Sequence, residues 1–230
     1  MLVRERPVVV VVCGCPGAGK TTIASATAGR LGIPFLTRDE IKTGLGLSSA
    51  CVAEDGGVRL ERDFHVAGGP FSLRAEAVMV DAVRLLAASG VSLVVESSVL
   101  SHELLAVLLA CGTRVLAVHV VAQEAVIGRR LAARAAEGGG IDQQLLSLFQ
   151  RGEMKRSIFE PPEGVDAVVE IDTSDEGVPA TETIVAAVIA LVESQRAGGG
   201  MRPSEPARNH RVQPAGSWRP GQSVESLRRS

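Results

Sequence analysis

Between Gly14 and Thr22 the chain reads GCPGAGKTT: glycines at 14, 17 and 19, then one of the chain's three lysines, then two threonines. Written as G-x-x-x-x-G-K-[ST], this spacing is suited to a phosphate chain. The glycines let the backbone turn tightly enough for successive N–H groups to converge on phosphate oxygens, and the helix that follows adds its positive N-terminal end. Lys20 supplies a mobile full charge for the β- and γ-phosphates, and the Thr21 hydroxyl is placed to coordinate Mg²⁺. Gly14, Pro16, Gly17, Ala18, Gly19, Lys20, Thr21 and Thr22 are therefore the candidate triphosphate-binding residues. A glycine turn with a surface lysine would need none of this spacing.

Such a loop works only between a buried strand and a helix. Val8 to Cys13 is an unbroken apolar, β-branched run, as expected for a parallel strand covered on both faces. Thr21 to Leu31 reads as helix, closed by Gly32. The alternation then repeats: strand at Pro34–Leu36, a short helix opened by Asp39, helix at Ser72–Ser89 and strand at Ser92–Val95, ending in Glu96. A helix at Ser101–Cys111 with Ser101 as N-cap, a strand at Arg114–Val121, a helix at Gln123–Ala136, a strand at Ala167–Ile171 and a helix at Thr183–Glu193 complete it. Five strands alternating with helices predict a doubly wound α/β sheet.

Two stretches break the alternation. Residues 44–70 are glycine-rich and read as irregular, a candidate substrate loop; residues 134–162, which contain EGGGIDQQ, are a candidate lid. From 197 to 230 the chain is rich in Gly, Pro, Arg and Ser, a composition that predicts a disordered tail. With six arginines and two glutamates the tail carries +4, leaving the 1–196 domain at 18 minus 24, or −6.

Composition narrows the classes further. The chain is 46% hydrophobic and 22% charged, with no apolar run of membrane-spanning length, so a soluble protein is expected. The start, MLVRERPVVVVVC, has too short an apolar run for a signal peptide, which points to the cytoplasm. Cys13, Cys15, Cys51 and Cys111 lack paired spacing and are expected to be small buried hydrophobes; His65, His102, His119 and His210 show no metal-ligand spacing.

The stretch from Gly14 to Leu45, GCPGAGKTTIASATAGRLGIPFLTRDEIKTGL, resembles the small P-loop kinases of the AAA_33, gluconate kinase, zeta toxin and chloramphenicol phosphotransferase neighbourhood, and also the polynucleotide 5′-kinases. The resemblance runs to about Glu193 and implies a P-loop NTPase three-layer sandwich with a five-stranded parallel sheet of order 2-3-1-4-5 and ATP with Mg²⁺ as its ligands. It implies that Asp39, in TRDEIK, faces an acceptor hydroxyl and takes its proton, against the plainer reading of an N-cap. Glu96 falls where such kinases carry an aspartate for Mg²⁺, and it either holds the ion or hydrogen-bonds substrate. Arg130 and Arg134, in the R-L-x-x-R pattern, are implied to close over the phosphates, the alternative being a solvated basic face that includes Arg129. Arg38 and Arg74 are candidate substrate contacts, and Asp172 to Ser174 falls where related kinases wrap backbone around the base.

Three functions follow. The first is an ATP-dependent phosphotransferase with a small-molecule acceptor: a sugar, nucleoside or antibiotic-like alcohol. The second, a polynucleotide 5′-hydroxyl kinase, is opposed by the acidic domain, since a nucleic-acid surface gathers Lys and Arg. The third is a non-catalytic ATP-dependent switch, which has no use for a base at Asp39.

Overall fold

In the computed structural model, which describes residues 6–52, 58–60, 64, 66, 68–137, 140–175 and 180–198, the valine run is the central strand β1 (Val8–Gly14), buried along its whole length. Side chains alternate across a strand, and β1 divides its valines accordingly. Val8, Val10 and Val12 pack with Ala24, Ala28 and Ile184, whereas Val9 and Val11 pack with Met79, Val83, Leu104 and Leu108. Each fully buried valine contributes roughly 1.5–3 kcal/mol, and helices must cover both faces to obtain it.

Those helices are α1 (Lys20–Leu31) and α7 (Ala180–Gly198) on one side, and α3 (Pro70–Ala88) and α4 (His102–Ala110) on the other. Between them lie β2 (Phe35–Thr37), α2 (Arg38–Ser48), a short antiparallel pair β3 (Cys51–Val52) and β4 (Val58–Arg59), and β5 (Leu93–Glu96). Next come β6 (Arg114–Val121), α5 (Glu124–Glu137), α6 (Gly140–Gln150) and β7 (Ala167–Asp172). The main sheet is ordered β2-β5-β1-β6-β7 with every neighbouring pair parallel. Counting only its own strands, that is 2-3-1-4-5, the three-layer α/β sandwich expected from the sequence.

Register decides what meets at the carboxyl edge, where open α/β sheets bind ligands. Val12 and Thr37 both align with Glu96, so the end of β5 lies between the glycine loop and the start of α2.

Several elements depart from expectation. β2 begins at Phe35, not Pro34: proline has no N–H to give, although its carbonyl accepts from Val94 N at 2.9 Å. Residues 44–70 are not wholly irregular, because α2 continues to Ser48, the β3–β4 pair follows and α3 starts at Pro70, a first-turn position that proline tolerates. Gly46 lies inside that helix and lets the Phe64 ring approach it. A Cβ at that position would lie 2.5 Å from Phe64 Cε2, so the glycine admits the ring where it would ordinarily weaken a helix. The region 134–162 likewise contains α6 and a 3₁₀ turn at Arg156–Ile158.

Of the cysteines only Cys13 is buried; Cys15 and Cys111 are half-buried, Cys51 is exposed, and all four are free thiols. No helix among the described residues is long and apolar enough to cross a membrane. The described residues up to Gly198 form one compact unit. The basic tail expected at 197–230 lies, from residue 199 on, outside the described residues.

Candidate active site

Gly14 ends β1 at φ 143°, donating its N–H to Ser98 O at 3.1 Å. A side chain is impossible there: a Cβ would stand 2.1 Å from the Val120 carbonyl oxygen. The loop is then held from outside. Thr173 Oγ1 donates to Ala18 O at 2.6 Å, and Arg130 Nη1 donates to Gly17 O at 3.3 Å. Gly19 caps α1 in the left-handed conformation without any side-chain acceptor, and the first helical bond runs from Ile23 N to Gly19 O. Helix geometry thus leaves the amides of Lys20, Thr21 and Thr22 without intrahelical acceptors, on residues that line a cleft. Donors only, at a positive helix end, suit an anion.

Beneath them lies a buried polar centre. The Lys20 ammonium is 3.9 Å from Glu96 Oε1 and donates to Cys15 O at 3.2 Å. Thr37 Oγ1 donates to Glu96 Oε2 at 2.8 Å, and Thr21 Oγ1 reaches the same oxygen at 3.4 Å. Burial pushes the Lys20 pKa down, with Glu96 and then Asp39 pulling the other way and Arg134 adding to the depression. A bound phosphate would relieve that penalty. A threonine hydroxyl beside a carboxylate is an oxygen pair of the kind Mg²⁺ takes, so Thr21 and Glu96 could hold the ion.

Across the cleft, Thr37 is the N-cap of α2, accepting from Asp39 N at 3.3 Å. Asp39 is therefore not the cap. Its side chain is 78% exposed and lines the cleft, with Arg38 Nη2 at 4.0 Å. Arg38 Nη1 lies 3.9 Å from Glu76 Oε2, whose other oxygen accepts from Ser101 Oγ at 2.8 Å. Ser101 also caps α4, accepting from Leu104 N. Arg74 stands elsewhere: it is exposed, lies over the Phe71 ring at 5.8 Å and is not among the residues lining the cleft.

The third wall comes from α5 and the segment after β7. Arg130 Nη1 donates to Thr173 Oγ1 at 3.1 Å and Nη2 to Thr173 O at 2.9 Å, which ties α5 to the glycine loop and to the end of β7. Arg134, one turn on, pairs with Asp142 of α6 at 2.5 Å while still lining the cleft. Asp172, Thr173 and Asp175 line it as well; the Asp172 pKa is held down by hydrogen bonds from the Ser174 side chain and amide.

Together these walls enclose about 930 Å³. The cleft gathers Pro16, Gly17, Gly19, Lys20, Thr21, Thr22, Arg38, Asp39, Glu96, Arg130 and Arg134, whereas Gly14 and Ala18 support it from behind. Sequence reasoning missed Thr37, Lys42 and Glu76, and named Thr173 only within the segment expected to wrap the base. A chain with only three lysines had given one signal, since two of them, Lys20 and Lys42, line this cleft.

A five-stranded parallel sheet of this order, with a glycine-rich loop opening the first helix, defines the P-loop kinase fold. The chain belongs to the AAA_33 family (AAA domain), whose match spans residues 9–161. No curated protein matches the sequence at a significant level. Among solved structures, a Chloroflexus aurantiacus J-10-fl protein proposed to be a kinase superposes with a TM-score of 0.63 at 22% identity, over 81% of this chain and 98% of its own. A gluconokinase from Sinorhizobium meliloti 1021 gives 0.49 at 22% identity over 85% and 99% of the two chains. A sugar kinase from Janibacter sp. HTCC2649 gives 0.48 at 23% over 80% and 94%. At 22% identity the Chloroflexus structure speaks to the fold alone.

Proposed function

We propose that the protein is an ATP-dependent phosphotransferase that moves the γ-phosphoryl group of Mg-ATP to a hydroxyl of a small molecule: a sugar, nucleoside or antibiotic-like alcohol. One observation carries this reading. A single cleft is lined on one side by Lys20, Thr21 and Glu96 and on the other by the exposed carboxylate of Asp39, which has no structural task as a cap. Membership of AAA_33 and the P-loop kinase fold support it.

Mg-ATP supplies the phosphoryl group and a leaving group, ADP. The amides at the start of α1 and the Lys20 ammonium bind the phosphates, and Thr21 with Glu96 holds the ion. Asp39 takes the proton from the acceptor hydroxyl as its oxygen forms a bond to the γ-phosphorus and the bond to the β,γ-bridging oxygen breaks. Arg134 adds charge on the lid side, where water exclusion strengthens it. Residues 1–196 make up the kinase domain in this reading, with 44–70 against the acceptor, 134–162 as the lid and 197–230 as an appended tail.

The test is transfer from γ-labelled ATP with Mg²⁺ to parallel pools of alcohols and to a 5′-hydroxyl oligonucleotide. Label on a small alcohol is expected. Label on the oligonucleotide alone identifies a polynucleotide kinase, and ATP binding without transfer to anything identifies a switch.

A further inference from the structure

The acceptor wall carries two cations on one face of α2. Arg38 and Lys42 are four residues apart, so they are neighbours on the helix surface, and both line the cleft with Asp39 and Thr43. That arrangement is unfavourable by itself. Like charges at this spacing destabilise a helix, and a cation in the first turn opposes the helix dipole.

Lys42 bears the further cost of burial, being 5% exposed. Its ammonium has the Val66 carbonyl at 3.5 Å and the Phe64 ring centroid at 5.3 Å, and no carboxylate among the described residues forms an ion pair with it. Burial accordingly pushes its pKa down, Asp39 opposing and Arg38 adding to the fall. Arg38 is held no more firmly. Its carboxylate neighbours stand at 3.9 and 4.0 Å, beyond hydrogen-bonding distance, and its Nε is buried with no hydrogen-bond partner among the described residues.

We infer, resting on the phosphotransferase reading, that the acceptor is itself an anion: a hydroxyl compound bearing a carboxylate or phosphate group that Arg38 and Lys42 grip while its hydroxyl faces Asp39. Guanidinium is a planar fork that can engage two oxygens, and ammonium is a point charge suited to a third. An anion there would satisfy the buried Nε and offset the repulsion between the two cations. Phe64, beside Lys42, leaves an apolar wall for the rest of the molecule. A purely structural Lys42, stitching Val66 to α2, would show no dependence on ligand charge.

The experiment uses the full chain with its phosphate loop filled by Mg²⁺ and a non-hydrolysable ATP analogue. Inorganic phosphate and acetate are then titrated in by calorimetry. Binding of at least one anion is expected, weakened about tenfold or more in Lys42→Met and in Arg38→Met, and recovered in Lys42→Arg, as for a lost charge-assisted hydrogen bond. Phosphate alone identifies a phosphate ester, and acetate alone a carboxylate. Binding of neither anion, or undiminished binding in both methionine variants, overturns the anion site. Transfer assays with glucose, gluconate and glucose 6-phosphate complete the test: labelling of the neutral sugar in preference to both anions overturns the inference. Anion binding without label on any alcohol overturns the phosphotransferase reading and leaves the anion site standing.

Discussion

The two ends of the cleft are built on opposite plans. At the end assigned to phosphate the loop backbone is secured: Gly14 is backed against Val120, the Ala18 and Gly17 carbonyls are clasped by Thr173 and Arg130, and Glu96 accepts from Thr37 in a buried bond. At the proposed acceptor end, Asp39 stands 78% exposed, Arg38 has carboxylates at 3.9 and 4.0 Å, and Lys42 touches a carbonyl at 3.5 Å. A triphosphate is always the same ligand, and preorganised donors bind it without rearrangement. An acceptor differs from one phosphotransferase to another, so loosely paired charges on α2 can be exchanged without unfolding the sheet beneath.

Substitutions test that contrast. Lys20→Ala should lower single-turnover transfer from γ-labelled ATP by about 10³-fold, as when a preorganised cation is removed from a developing charge. A variant near full rate would break the assignment of this end to phosphate. Asp39→Asn should lower kcat by about 10²-fold or more while leaving equilibrium ATP binding within about threefold, since a lost base affects the chemical step. Equal losses in both would place Asp39 with the phosphates and blur the two ends.

Smaller effects concern the scaffold. Arg130→Ala removes donors to Gly17 O, Thr173 O and Thr173 Oγ1, and should lower stability by about 1.5–3 kcal/mol in chemical denaturation. Arg38→Ala, which loses only contacts near 4 Å, should change it by less than about 1 kcal/mol. A reversed ranking would sink the comparison. Thr37→Val leaves Glu96 short of a buried donor, which predicts a loss of about 1–3 kcal/mol by the same measurement.

Stability should also depend on pH. Burial pushes the Cys15 thiol from 9.0 up to about 11, with Lys20 opposing. The unfolded chain therefore releases this proton first, and stability present below pH 9 is lost as pH climbs toward 11. Each such thiol contributes a slope of at most about 1.4 kcal/mol per pH unit. The fall in denaturation midpoint between pH 8.5 and 10.5 should be shallower in Cys15→Ala than in the parent protein.

What the sequence disclosed follows the same division. The glycine loop, its buried strand and the strand order were legible because backbone geometry there demands particular residue types: no Cβ fits at Gly14, and only apolar residues suit β1. Asp39 and Glu96 could be picked out as the acids at strand ends. Beyond Arg38 and Asp39 the acceptor wall was not legible, because Gly44 and Gly46 read as helix breakers when Gly46 instead makes room for Phe64, a partner eighteen residues away. Glu76 left no pattern and Lys42 only the scarcity of lysine, since their significance arises where α2 packs beside α3. The start of α6 was hidden behind glycines at 138–140. Arg130 was legible as an arginine of the lid, yet its hydrogen bonds to Thr173 follow from the packing of α5 against the end of β7.

Those clasps on the glycine loop have a kinetic meaning. A loop already tied through Ala18 and Gly17 to Thr173 and Arg130 has no refolding step to complete when nucleotide arrives. Capture should then be a single second-order phase, linear in nucleotide concentration, in the ~10⁵–10⁷ M⁻¹s⁻¹ range of encounters that need no rearrangement. The slow event in each cycle would fall to the loosely built side of the cleft, so turnover would be paced by how the second substrate settles rather than by how ATP is caught.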